Sequence, residues 1–316
     1  MKYTAFKIIL LLPLIVYSQA IEPIYITLNG DITSPNQEIS GLAWYNDNLI
    51  LLPQYPDDQI YSIPKQQIFD FLDSSRNAIL PNEINWNSSD IDKLISGFEG
   101  YESIVFDNDT VYVTIEAERR KINSGFVARG IIDNKKNEIK LNEKSLKKIK
   151  TPIILRNMTY ETIVIYNNSV ITIYEVNSVK VNRAPIYHQF DNDLKSDIVK
   201  PFPFTEYRIT DATEVDNEGR FWVANYFWPG DYSLIKPELN YTITNKKDIK
   251  PVERLLEFQF IDENIVRTKT LPINIKLSEF SDSRNWEGIV RLDDIGFLIA
   301  TDKFPGTILA FIPLSN

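Results

Sequence analysis

Apolar residues along this chain fall in short runs broken by Asn, Asp and Gly, and few segments carry the period of an amphipathic helix. Residues 65–73 and 89–95 read as short helices; elsewhere β-branched and aromatic runs alternate with turn residues, the pattern of an all-β protein. The stretch GFEGYESIVFDNDTVYVTIEAE, residues 97–118, reads as two strands about a turn at Asp107-Asn108-Asp109. Folded about that turn it sets Glu102 beside Glu116, a like-charge pair costing roughly 0.2–1 kcal/mol even when exposed.

The same pattern recurs in five stretches: ISGLAWYNDNLILLPQ (39–54), YESIVFDNDTVYVTIE (101–116), YETIVIYNNSVITIYE (160–175), TDATEVDNEGRFWVAN (210–225) and WEGIVRLDDIGFLIATD (286–302). Each opens on a polar side chain, runs through an apolar strand and a turn, and ends a second strand on another polar residue. The opening positions are Ser40, Glu102, Glu161, Asp211 and Glu287; the closing ones are Gln54, Glu116, Glu175, Asn225 and Asp302. Spacings of 62, 59, 50 and 76 residues between openings each suit one small antiparallel sheet. Together they predict a β-propeller. Five blades are favoured, and a sixth is open in 226–284, where ERLLEFQFIDENIVRTKTLPI offers two further strands. The segment Ile24–Leu28 is expected to join the last blade and close the ring. An irregular β-sandwich is the competing fold.

Composition narrows the function. Lys2 and Lys7 precede an apolar run at 8–12, and Ser18-Gln19-Ala20 supplies small residues for cleavage. Residues 1–20 thus read as a secretory signal peptide, leaving 21–316 as one domain, secreted or periplasmic, with no membrane span after cleavage. That mature chain holds 32 basic and 43 acidic residues, a net charge of −11, which repels nucleic acid and anionic membrane surfaces. Asn-x-Ser/Thr stands at Asn87, Asn108, Asn157, Asn168 and Asn240 and would be glycosylated only in a eukaryotic host. With no Cys and a single His, His188, neither zinc nor a redox metal finds ligands, and a Ser-His-Asp triad has weak support without a G-x-S-x-G elbow.

Innermost strands of a propeller line its axis, so Ser40, Glu102, Glu161, Asp211 and Glu287 are expected to converge there. Clustered carboxylates require a cation or raised pKa values. Ca²⁺, which takes six to eight oxygen ligands, is the expected cofactor; hydrogen bonding to backbone amides is the bland alternative for the same residues. Glu116, Glu175 and Asp302 would bind a second ion, orient the first set, or be solvated strand ends. Arg119, Arg120 and Lys303, with Asn225 and the aromatic loop 225–231 nearby, suggest a phosphate clamp, against ordinary salt bridges and packing.

These segments resemble the secreted propellers called esterase-like phytase domains: ISGLAW its opening S-G-L motif, FEGYESIV its Phe-Glu-Gly strand, ITDATE its Ser-Asp strand and NWEGIV its closing N-L-E-G-I segment. The polar ring is also similar to that of the calcium-activated nucleotidases, which carry a Ser/Glu ring about one Ca²⁺. Ser103 stands where the phytase-like pattern has Gly, and its DPEGI-type segment is absent. The resemblance implies phosphoester, phosphoanhydride or ester hydrolysis with a small anionic substrate. The alternative is a non-catalytic propeller that binds a ligand or a protein around a structural cation.

Overall fold

The computed structural model describes residues 20–34, 36–235, 249–277, 283–302 and 306–314; residues 1–19 of the expected leader, Asn240 and Lys303 lie outside them. Strand β1 (Ile24–Ile26) precedes five antiparallel meanders. The first comprises β2 (Ile39–Tyr45), β3 (Asn48–Pro53), β4 (Gln59–Pro64) and β5 (Asn82–Asn87), with helix α1 (Lys65–Asp70) between the last two. Helix α2 (Ile91–Leu94) leads into β6 (Phe98–Asp107), β7 (Thr110–Arg119), β8 (Ile122–Asp133) and β9 (Glu138–Leu141), with β10 (Lys147–Ile149) against β8. The third holds β11 (Thr162–Tyr166), β12 (Ser169–Ile173), β13 (Ile186–Asp191) and β14 (Ile198–Pro201). The fourth holds β15 (Arg208–Ala212), β16 (Arg220–Phe227), β17 (Val252–Ile261) and β18 (Asn264–Arg267), with β19 (Ile273–Asn274) against β17. The last holds β20 (Trp286–Leu292), β21 (Gly296–Thr301) and β22 (Leu309–Pro313), completed by β1.

This is a β-propeller. The first strands of the meanders neighbour one another in a closed circuit, β2 to β6, β11, β15, β20 and back to β2. A buried apolar cluster fills each gap between successive meanders. Ala43 and Tyr45 face the second meander while Leu42 packs toward the last, so β2 is covered on both sides. That explains why the inner strands read as apolar runs without strict alternation: a sheet buried on both faces has no wet side to alternate with.

Two features bear on how the sheets divide. The segment ERLLEFQFIDENIVRTKTLPI forms β17, β18 and β19, the outer part of the fourth sheet, and no separate unit. The first two meanders also share one sheet, because β5 pairs in parallel with β9 through Asn85, Trp86 and Asn87. The expected closure forms: Ile24, Tyr25 and Ile26 pair with Phe311, Ala310 and Leu309. Among the described residues no helix is long and apolar enough to cross a membrane.

Candidate functional site

Each inner strand except β11 carries a register skip at the opening of its repeat. The skips fall between Ile39 and Gly41, Tyr101 and Ser103, Ile209 and Asp211, and Trp286 and Gly288. A bulge leaves one residue out of the ladder and re-aims its side chain. The residues left out are Ser40, Glu102, Thr210 and Glu287, and Glu161 stands just before the first paired residue of β11. A second skip in β6, between Phe98 and Gly100, frees Glu99 likewise. Glu116 therefore pairs with Gly100 and not with Glu102, so the feared cross-strand pair is relieved by a bulge.

The fourth opening is displaced by one residue from the sequence expectation: Thr210, not Asp211, occupies the bulge. Thr210 behaves as Ser40 does. The Ser40 hydroxyl donates to the Tyr101 carbonyl at 2.6 Å, and the Thr210 hydroxyl to the Trp286 carbonyl at 2.6 Å, each tying its strand to the next inner strand. Asp211 faces the packed axis. Its Oδ2 accepts from the amides of Ile289 (2.9 Å) and Leu42 (3.5 Å), and its Oδ1 from the Ser103 hydroxyl (2.8 Å). Burial raises its pKa well above the usual carboxylate range.

At the bulged end the ring opens into a cavity of about 620 Å³ lined by Glu102, Glu116, Glu161, Glu287 and Asp302, with Glu38, Glu99 and Arg208 beside them. Gln54, Asn157, Ser283 and Asn285 add neutral polar groups; Tyr226 lies in the wall, and Tyr55 and Trp228 stand half-exposed on it. Burial raises Glu102 to about 8, opposed by the Gln54 amide at 3.3 Å and helped by the charges of Glu175 and Asp302. Burial and then the Glu102 charge raise Glu116 to about 9, although Asn123 and Thr159 donate to it. Glu161 and Glu287 rise well above the ordinary range, again through burial first, then Glu175 and Asp302 respectively. The Asn285 amide donates to both Glu287 and Asp302.

Glu175 and Asn225 lie beneath the cavity surface, fully buried. Glu175 accepts from Arg208 Nη1 at 2.8 Å and hydrogen-bonds Glu161; burial pushes it up to about 7 against the pull of Arg208. Arg208 Nε donates to Asp231 at 2.8 Å, so this cation is held by two carboxylates. Asn225 donates to the carbonyls of Glu206 and Arg208, both at 2.8 Å, and accepts from Arg254. Glu161 Oε2 and Glu175 Oε2 are buried and receive no donor other than the proton these two carboxyls share. Glu116, Glu175 and Asp302 are thus buried polar groups and not solvated strand ends.

Among the described residues the cavity gains no member of the expected cationic clamp. Arg119 and Arg120 are exposed at the β7–β8 turn, outside the cavity lining, and Lys303 lies outside the described residues. His188 is buried elsewhere, its Nδ1 2.7 Å from Asp197 and its Nε2 3.0 Å from the Lys150 carbonyl. Among the described residues no group of three or more His, Asp or Glu side chains is placed to hold a metal ion. Sequence reasoning missed Arg208, Glu38 and Asn285. With Thr210 in register, all three stand two residues before an opening position, and a strand's period of two turns them toward the same cavity.

No protein-family model and no curated protein matches this chain. Solved structures do. A glycosyl hydrolase from Bacteroides ovatus is 10% identical with TM-score 0.50 over 89% of this chain and 86% of that one. An exo-1,5-alpha-L-arabinanase from a bovine ruminal metagenomic library is 8% identical with TM-score 0.50 over 90% and 95%. A structure reported for a family of mannoside phosphorylases that contains glycoside hydrolases is 9% identical with TM-score 0.50 over 87% and 84%. Identity this low speaks for the propeller alone, and the resemblance to phytase-like domains gains no support.

Proposed function

We propose that this chain is a five-bladed propeller enzyme of the sugar-active kind, hydrolysing a glycoside in the acidic cavity. The observation that carries the reading is a cavity in which proton-holding carboxyls sit below half-exposed aromatic rings. Its volume, about 620 Å³, suits a small ligand. Sugar C–H faces pack on aromatic rings, while hydroxyls bond to carboxylates and to amides such as Gln54 and Asn285. Glycoside cleavage needs one carboxyl that gives a proton to the leaving oxygen and one that attacks or activates water. Glu161 suits the first role: burial keeps it protonated, and it lines the cavity. Glu102, on the neighbouring inner strand and hydrogen-bonded by Gln54, suits the second once it has given up its proton, above about 8.

A phosphoester substrate fits less well. A phosphate entering here meets carboxyls on most sides, and Arg208 is already engaged by Glu175 and Asp231. The test is release of reducing sugar from a panel of arabinans, mannosides and glucosides, alongside nucleotides and phytate. Turnover of glycosides that falls by at least about a hundredfold in Glu161→Gln is the expected result. Hydrolysis of the phosphate esters alone would refute it.

A second reading, a non-catalytic propeller with Ca²⁺ drawn among Glu102, Glu161 and Glu287, is favoured by the gathering of these carboxyls, all with raised pKa, on one cavity. Oxygen donors suit that ion, but these carboxyls would have to close in on it. Thermal unfolding decides: a melting temperature that rises with Ca²⁺ and falls with chelator, without turnover of any substrate, supports it, and indifference to both removes it.

A further inference from the structure

A second concave surface lies where the outer strands of the second meander meet the β13–β14 turn of the third. Two adjoining hollows there, of about 350 and 630 Å³, share Arg129 and Asn142 and have no residue in common with the axial cavity. The smaller is lined by four cations, Arg129, Lys144, Lys147 and Lys195, against one acid, Asp193. The larger adds Lys140 among Asn87, Ser89 and Thr110; its acids are Glu143 and Asp90, and Asp90 is paired with Lys93. Residues 135–150 hold seven Lys and two Glu in a chain of net charge −9, so this patch opposes the sign of the molecule. Ladder register gathers the charge. Lys147 lies opposite Val127, Arg129 and Ile131 follow on the same face of β8, and Ile131 stands beside Lys140. Two of the cations are fixed in place. Lys147 Nζ donates to the carbonyls of Lys195 (3.1 Å) and Ser196 (3.0 Å) and lies 5.0 Å from the centre of the Phe190 ring. Arg129 Nη1 meets the Asn192 carbonyl at 3.1 Å and Asp193 at 2.7 Å, and Lys195 reaches Asp193 at 2.8 Å. Lys195 first, and then Arg129, lower the Asp193 pKa, so the field is positive even at this acid.

We propose that this groove binds an acidic polysaccharide, its carboxylates on Arg129, Lys144 and Lys195 and its hydroxyls on the neutral polar groups of the larger hollow. Guanidinium and ammonium groups meet carboxylates through charge-assisted hydrogen bonds, the strong kind. Among the described residues neither lining holds an aromatic ring, so nothing offers a stacking platform to nucleic acid bases or to the face of a neutral sugar. Two joined hollows suit a chain with spaced charges better than a lone anion. The axial cavity, walled by carboxyls, repels such a ligand, and binding here does not depend on what that cavity cleaves.

Isothermal titration of the purified protein at low ionic strength tests this with three probes: a galacturonate decamer, a neutral maltodextrin of the same length and a single DNA strand of ten nucleotides. The galacturonate is expected to bind at least about tenfold more tightly than either of the others, and to weaken as salt is added. Lys144→Glu combined with Lys195→Glu should abolish that preference. Arg267→Glu combined with Lys269→Glu, the same change of charge at exposed positions of the fourth meander, should preserve it. All four side chains are exposed, so both proteins are expected to keep cooperative melting. Equal binding of galacturonate and maltodextrin overturns the proposal, as does an equal loss in the two pairs of variants. A DNA strand that binds as tightly as galacturonate overturns it too, because the groove would then take phosphate chains.

Discussion

Asp211 reaches partners on three neighbouring inner strands, Ser103 on β6, Leu42 on β2 and Ile289 on β20. Replacing it with Ala strands two buried amides and a hydroxyl, so Asp211→Ala should cost about 3 kcal/mol or more in chemical denaturation, and Asp211→Asn, which keeps one acceptor, distinctly less. At the cavity the sign is opposite. Glu102 and Glu116 hold protons in the folded state up to about 8 and 9, whereas the unfolded chain gives them up near the ordinary value of 4.5. The native state therefore binds more protons across that window, and stability is greatest on its acid side and falls as pH rises toward about 9. Glu116→Gln should flatten the decline of melting temperature between pH 5 and pH 9, by up to about 1.4 kcal/mol per pH unit removed. An unchanged slope would contradict the assignment. The one-residue slip from Asp211 to Thr210 has a physical root. Sequence reading favours Asp211, which precedes the small Ala212 as the other openings precede the small positions Gly41, Ser103, Thr162 and Gly288, but the ladder skips between Ile209 and Asp211 and so leaves Thr210 out.

Those small positions belong to the inner strands as elements. A Cβ on Gly41 would lie 3.1 Å from the Ser103 Cα and 3.3 Å from the Ile104 amide nitrogen, both backbone, and one on Gly288 would meet Leu42 at 2.6 Å. Strands that converge on an axis have little room there. Gly41→Val should lower stability by about 1–3 kcal/mol, since the obstacle cannot rotate away. A substitution with no measurable effect would mean that β2 and β6 are less closely packed. Hairpin turns at Asn46, Asn108, Asn167 and Asp293 have positive φ, which is why Asn and Asp punctuated the repeats so legibly. The helix expected at 65–73 begins at Lys65, and the one at 89–95 is confined to Ile91–Leu94. The bulges were not legible. A bulge inserts one residue without changing composition, so only pairing to β3, β7, β16 and β21 reveals it.

At the scale of the molecule, five apolar wedges lie between successive meanders, and the last one is sealed by a strand from the other end of the chain. Ile26 lies in that wedge with Leu298, Leu309 and Phe311. A chain lacking residues 21–28 should expose the edge of β22, melt at lower temperature and self-associate in light scattering; unaltered melting would show the closure to be dispensable. The propeller fold was readable because turn and apolar run recur along the chain, and the closing strand because a further apolar run precedes the first repeat. The parallel union of β5 with β9 was not, since it joins segments some fifty residues apart and leaves no local trace.

That closure sets an order of events during synthesis. Ile24–Ile26 leaves the ribosome long before its hydrogen-bonding partner at 309–311 is made. Until then the nascent product is a horseshoe with two sticky ends, and final locking waits for residues 309–311. Such a long-range final step implies slow, all-or-none maturation, with neighbouring unfinished copies as the competing partners for the open edge.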